Sequence, residues 1–251
     1  MLRNHLRLPS SRRLVSDLLY FSRGFPHPSV TRELQLKPVS EARDASEPRI
    51  GWGTLFTKAF ADVAKRHAVL RQSYLSYPWP HVYQHERSVV RVAVQRQHLG
   101  QDWLFFGRIY EPERLSLIEL HRQIEEFKTQ PIAKVGNFRR QVIVAGLPLL
   151  FRRLLWWLSL HFSGRIRAGR FGTFALTSVA RENATATLAP SVTTATMIIG
   201  PVNDDGAMSV SLVFDHRLMD GLFAARVLGE LEEHLNGAIC HELKALAKIV
   251  A

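Results

Sequence analysis

The stretch that most restricts the fold is residues 208–237, MSVSLVFDHRLMDGLFAARVLGELEEHLNG. Met208, Val210, Leu212 and Phe214 alternate with Ser209, Ser211 and Val213, the period of two expected of a strand with one buried face. After Gly221 the period changes. Leu222, Ala225, Leu228, Leu231 and Leu235 recur at threes and fours beside Arg226, Glu230, Glu232 and Glu233, which is helical spacing with a charged outer face. Asn236-Gly237 reads as the stop of that helix. Strand and helix are therefore joined by seven residues, Asp215 to Gly221, of which four carry ionisable side chains.

Within that heptapeptide His216 is the candidate for chemistry. A histidine on a rigid strand-to-helix turn is held in one tautomer, and its reference pKa of about 6.5 makes it a usable base near neutral pH. Asp220 stands where a helix N-cap is expected, and Gly221 allows a sharp turn or a close backbone approach. The competing reading makes His216 a residue that only fills the turn.

Composition limits the remaining classes. A chain of 251 residues with 46% hydrophobic residues buries a substantial core, and one large α/β domain over 1–251 suits it better than two small ones. The single Cys240 excludes an intrachain disulfide and a cysteine cluster for zinc, which points to a reducing cytoplasm. The eleven histidines show no metal-ligand spacing, so no metal is expected. A net charge of +11 attracts nucleic acid, anionic membrane or polyphosphate alike. No nucleic-acid-binding motif accompanies it, so it reads as a general arginine bias and no nucleic-acid partner is expected.

Along the chain, Ser10 or Ser11 opens a helix with Leu14, Leu18 and Phe21 on one face and Gly24 at its end. Arg3, Arg7, Arg12 and Arg13 make this region basic, as in a targeting peptide, but the helical pattern assigns it to the fold. Residues 30–36 read as a strand after the turn FPHP, and the polar residues 37–48 as a loop. A helix begins near Thr54 and places His67 on its apolar side, as a packed residue rather than a ligand. Residues 73–80, SYLSYPWP, read as an ordered aromatic loop. Strands follow at 89–94 and 103–109, then a helix over 115–128 opened by the Ser116/Glu119 capping box. Residues 193–202 and the His216 strand form an antiparallel pair about the turn Asn203 to Gly206.

Residues 142–162, VIVAGLPLLFRRLLWWLSLHF, approach bilayer length, but Pro148 and Arg152-Arg153 argue against a spanning helix. Leu147, Leu150, Phe151, Leu154, Leu155, Leu158 and Phe162 form one broad face, with Arg152, Trp156 and Ser159 opposite. Such a basic amphipathic helix packs on its own domain, on a neighbouring subunit or at a membrane surface, with packing within an oligomer the first expectation and weak membrane contact the second.

FDHRLMDGLFAARVLGELEEHLNG resembles the catalytic signature of the dihydrolipoyl acyltransferases of 2-oxo acid dehydrogenase complexes, and it fits the His-x-x-x-Asp-Gly pattern of chloramphenicol acetyltransferase. LPSSRRLVSDLL is similar to that family's opening helix, Leu-Ser-x-x-Arg-Lys, with Arg12 at the arginine. GTFALTS resembles its Gly-Thr-Phe-Thr-Ile-Ser strand, with Thr177 at the serine. After that position the family has Asn-Leu-Gly where this chain has Ser178-Val179-Ala180, and its counterpart of 142–162 is less hydrophobic.

The resemblance implies an α/β chloramphenicol acetyltransferase-like two-layer sandwich, a mixed β-sheet covered by helices, assembled as a homotrimer with each site between subunits. It implies acyl transfer between a thioester (CoA, lipoyl or carrier-bound) and a thiol, hydroxyl or amine. His216 would be the base, Thr177 or its fallback Ser178 the oxyanion donor, and Asp220 the support of the loop, paired with Arg12. Asp215, Arg217 and Gly221 would be structural. A coenzyme A thioester would be substrate, with no bound prosthetic group, and an acyl-CoA or acylated carrier the partner. No lipoyl or peripheral-subunit-binding domain is recognised in these residues. The alternative is a noncatalytic trimeric assembly module of the same fold.

Overall fold

The computed structural model describes residues 8–25 and 27–250, so Arg3 and Arg7 lie outside the described residues. Six strands form one mixed sheet: β1 (Ser29–Gln35), β4 (Val89–His98), β5 (Gln101–Tyr110), β6 (Phe174–Ser178), β7 (Ala195–Val202) and β8 (Ala207–Phe214). Their order is β1-β8-β7-β6-β4-β5, antiparallel except where β6 runs parallel to β4 and to β7. A separate hairpin pairs β2 (Gln72–Leu75) with β3 (His81–Gln84), so the predicted aromatic loop at 73–80 is partly strand.

Alternation decides which sheet face carries the larger core. Val90, Val92 and Val94 of β4, Phe105 of β5, Leu176 of β6, Met197 of β7 and Leu212 of β8 point to one side. There they meet α3 (Trp52–Arg66), α4 (Leu117–Thr129) and α8 (Gly221–His234). The Ser116/Glu119 capping box opens α4 as the sequence implies. On the opposite face Leu18, Phe21, Trp156, Leu160 and Phe171 make a smaller apolar cluster under α1 (Ser10–Ser22), α6 (Leu149–His161) and α7 (Gly164–Phe171). β8 is buried on both faces from Val210 onward, where the sequence predicted only one.

Several boundaries differ from expectation for local reasons. Residues 37–48 are not a loop throughout. Lys37–Asp44 form α2, because Val39 and Ala42 share a face and are buried. Neither Ser10 nor Ser11 caps α1, whose N-cap position is Pro9. The stop at Asn236-Gly237 does not operate. The chain passes through a π-helical turn, Leu235–Ile239, into α9 (Cys240–Val250), and Leu235, Ile239 and Leu243 carry the buried stripe across the junction. His67 ends α3, where Nε2 lies 2.8 Å from a Glu230 carboxylate oxygen and the ring meets Phe223 edge-on.

Residues 142–162 are two helices, α5 (Gly136–Gly146) and α6, separated at Leu147-Pro148 where the residue before proline is extended. The orientation of α6 inverts what amphipathicity implies. Arg152, Trp156 and Ser159 are buried, whereas Leu150, Phe151, Leu154 and Phe162 are exposed. The cause is electrostatic: Arg152 grips Asp17 of α1 with two guanidinium nitrogens, and Asp17 is wholly buried. Among the described residues no helix is long and apolar enough to cross a membrane, and no group of three or more His, Cys, Asp or Glu is placed to hold a metal.

Candidate active site

The turn after β8 is organised by Asp215. Its backbone N–H donates to Thr194 O at 3.0 Å, and its carbonyl accepts from Leu218 and Met219, closing one helical turn. The buried carboxylate accepts from Arg217 N, Nε and a terminal guanidinium nitrogen at 3.1, 2.8 and 2.6 Å. The Arg217 guanidinium also lies 4.3 Å from the Tyr74 ring centre and 4.9 Å from that of Phe25. Asp215 and Arg217 thus anchor the loop inward, and His216 between them projects outward with 51% of its side chain exposed.

The geometry fixes the His216 tautomer. Nδ1 lies 3.1 Å from Met219 O, and a carbonyl oxygen only accepts, so the neutral ring carries its hydrogen on Nδ1 and leaves the Nε2 lone pair free. That is the form a general base needs. Asp220 Oδ1 stands 3.5 Å from the same Nδ1, but its side chain is 84% exposed and makes no capping bond to α8. Its charge is therefore a weak, solvent-screened support for an imidazolium. Gly221 has no left-handed backbone, and a Cβ there would only touch Val30 Cγ2 at 3.7 Å, so one chain gives it no special task.

Two further groups line the inner side of this loop. His27 stacks on Phe25, and burial pushes its pKa down to about 4, with Arg217 and Arg167 adding to the effect and Asp215 opposing it. Arg167, 2% exposed, donates to Tyr74 O and Val192 O at 2.6 and 2.9 Å. Neither was singled out from sequence, since an arginine in a basic helix and a histidine in a Pro-rich turn carry no periodic signal.

Thr177 and His216 are not brought together within one chain. Thr177 pairs with Ile198, which pairs with Ser211, three residues before Phe214. At about 3.3 Å per residue and 4.8 Å per strand, the hydroxyl lies roughly 10 Å along and 10 Å across from the end of β8. Thr177, half-buried, faces a cavity of about 110 Å3 together with Arg91, Phe106 and Thr196. Ser178 is committed elsewhere: its hydroxyl donates to Ile199 O at 2.8 Å and accepts from Ala180 N at 3.1 Å. Nor do Arg12 and Asp220 pair within one chain. Arg12 is exposed on α1, which packs at the β5 end of the sheet, whereas Asp220 follows β8 beside β1.

No protein-family model matches the sequence, and no curated protein matches it. Solved structures do. The cubic core of a pyruvate dehydrogenase multienzyme complex is similar over 94% of this chain and 93% of its own, with TM-score 0.66 at 16% identity. The Azotobacter vinelandii dihydrolipoamide acetyltransferase, investigated for the role of a serine, a histidine and an asparagine in its catalytic mechanism, covers the same shares with TM-score 0.67 at 16% identity. Chloramphenicol acetyltransferase is similar over 91% of this chain and 98% of its own, with TM-score 0.54 at 12% identity. The chain therefore has the chloramphenicol acetyltransferase-like fold of dihydrolipoamide acetyltransferase catalytic cores, as the resemblance implied.

Proposed function

We propose that the chain is a single acyltransferase catalytic domain, acting as a homotrimer, that moves an acyl group between a thioester and a thiol, hydroxyl or amine acceptor. The observation that carries this reading is the Nδ1 to Met219 O contact, which leaves Nε2 of His216 as an exposed base. Nε2 takes the acceptor's proton as the acceptor heteroatom attacks the thioester carbonyl carbon, and the carbonyl electron pair becomes an oxyanion. Thr177 of a neighbouring copy donates a hydrogen bond to that oxyanion. The intermediate then collapses, the carbon–sulfur bond breaks, and the imidazolium returns its proton to the departing thiolate. The donor is an acyl-CoA or an acylated carrier, and CoA is a substrate rather than a resident group.

The position of Asp220 supports the same reading. In the Azotobacter enzyme the histidine and asparagine under study stand four positions apart, as His216 and Asp220 do here. The test is thiol release from a panel of acyl-CoAs, run beside His216→Ala and Thr177→Val. His216→Ala should abolish turnover, and Thr177→Val should lower kcat by roughly 100-fold or more with little change in KM. Turnover unaffected by His216→Ala excludes the mechanism. A noncatalytic trimeric module is the second reading, favoured by the engagement of Ser178 within β6 and β7. It predicts a trimeric mass with no thiol release from any donor.

A further inference from the structure

A cavity of about 400 Å3 lies between β4 and β5 on one side and α1, α5, α6 and α7 on the other, and His216 is not among its lining residues. Four arginines line it, Arg91, Arg108, Arg140 and Arg170, and no aspartate or glutamate does. The rest of its wall is mainly apolar, with Leu14, Ile143, Val144, Leu155, Trp156 and Phe171.

Arg91 is the informative member. The other buried arginines among the described residues have acceptors: Arg152 has Asp17, and Arg167 has two backbone carbonyls. Arg91 is 8% exposed, yet the described residues offer its guanidinium no hydrogen bond and no salt bridge, and its Nε is buried without a partner. Its Cζ lies 3.8 Å from the Phe106 ring centre and 5.4 Å from that of Phe171, contacts that supply no hydrogen-bond acceptor oxygen or nitrogen to the guanidinium. Burial and the neighbouring Arg108 charge lower its pKa to about 9, so it remains cationic at neutral pH. Arg108 is held by Asn137, and Arg170 by Ser159 and Leu155 O, all of them neutral. Burying a cation without a counter-charge is costly, and the cost is recovered where an anion arrives.

We propose that this cavity binds an anionic amphiphile, with a carboxylate or phosphate head on Arg91 and its neighbouring guanidiniums and an aliphatic tail along Leu14, Ile143 and Trp156. Arg140 and Ile143, both exposed, stand at the mouth. Neither His216 nor Thr177 lines the cavity, although Arg91 and Phe106 also border the smaller cavity that Thr177 faces.

Titration of the full chain by calorimetry and by tryptophan fluorescence tests the assignment, with dodecanoate, dodecyl phosphate, dodecanol and inorganic phosphate as probes. Dodecanoate or dodecyl phosphate should saturate at one per chain, and the tighter of the two identifies the head group. Dodecanol and inorganic phosphate should each bind at least tenfold more weakly than it. Arg91→Met should weaken that probe at least tenfold, the contribution of one charge-assisted hydrogen bond, and raise the Tm of the ligand-free protein. Arg170→Gln, at an exposed position, should weaken it severalfold and serves if Arg91→Met fails to fold. Lack of saturation by both amphiphiles, equal binding of dodecanol or of inorganic phosphate, or unchanged affinity in the arginine variants overturns the proposal.

Discussion

Asp17→Ala should be among the most damaging single substitutions in the chain, more so than replacement of the arginine it holds. The Asp17 carboxylate is fully buried, and the Arg152 side chain is 5% exposed. One terminal nitrogen of Arg152 reaches Asp17 Oδ1 at 3.2 Å, and the other donates to Leu147 O at 3.2 Å where α5 gives way to α6. Removing the carboxylate leaves a buried guanidinium without its counter-charge, which costs about 3–5 kcal/mol. Arg152→Met should cost less, because Arg153 Nε already stands 4.0 Å from Asp17 Oδ1 and is free to close on it. The double variant Asp17→Leu/Arg152→Met should return to within about 1 kcal/mol of the parent or exceed it, since apolar replacement of a buried pair is often neutral or stabilising. Urea unfolding followed by tryptophan fluorescence yields all four stabilities and the coupling energy. A cost below about 1 kcal/mol for Asp17→Ala, or a double variant as unstable as the sum of the two singles, refutes the claim that this pair sets the roll of α6.

Gly107→Ala should destabilise by about 1–3 kcal/mol, because the added Cβ runs into the Phe127 ring, itself buried; urea unfolding measures it, and Phe127→Leu should restore part of the loss. Acid should weaken the fold through His27 and His85, both of whose pKa values burial lowers to about 4. Because the unfolded chain takes up those protons first, this stability is full well above about pH 6.5 and falls by up to about 3 kcal/mol per histidine as pH drops toward 4, measured by urea midpoints across that range. The outward face of α6 should bring the protein up with anionic vesicles at low salt, and Phe151→Glu/Leu154→Glu should leave it in the soluble fraction. Retention of the parent protein in that fraction rules out membrane contact.

Legibility in the sequence followed the range of the interactions. The strand, loop and helix around His216 were readable as elements because their determinants lie within a few residues, but not their burial: β8 is covered on both faces from Val210, and Leu222, assigned to the apolar side of α8, is exposed. The roll of α6 was not readable either, since its apolar stripe is real and is overridden by one carboxylate 135 residues away. Arg91 was hidden by the same limit. A lone arginine between Val90 and Val92 reads as a residue on the solvent side of a strand, and only the helices packed over that face reveal its burial. Charge placement, by contrast, is readable in the sequence by counting along it. From Phe127 to Arg181 the chain has ten lysines and arginines and no acid, so nearly all of the +11 belongs to the segment containing α5, α6 and α7 and not to a general arginine bias.

The relation between Thr177 and His216 carries the last consequence. Thr177 lies level with Ser211, in the middle of β8 and two strands away from it, whereas His216 follows the end of β8. Repacking of side chains cannot close roughly 10 Å in each of two directions across a hydrogen-bonded sheet. If both groups act on one thioester, they belong to different copies, and the active unit is an oligomer. Turnover per chain should then fall on dilution in step with loss of the oligomer by mass photometry. Mixing His216→Ala with Thr177→Val chains, the first inactive and the second strongly impaired as a pure assembly, should raise activity above that of either alone, because some boundaries then join an intact histidine to an intact threonine. Full turnover per chain in the monomer, or no recovery in mixed assemblies, excludes a site shared between copies.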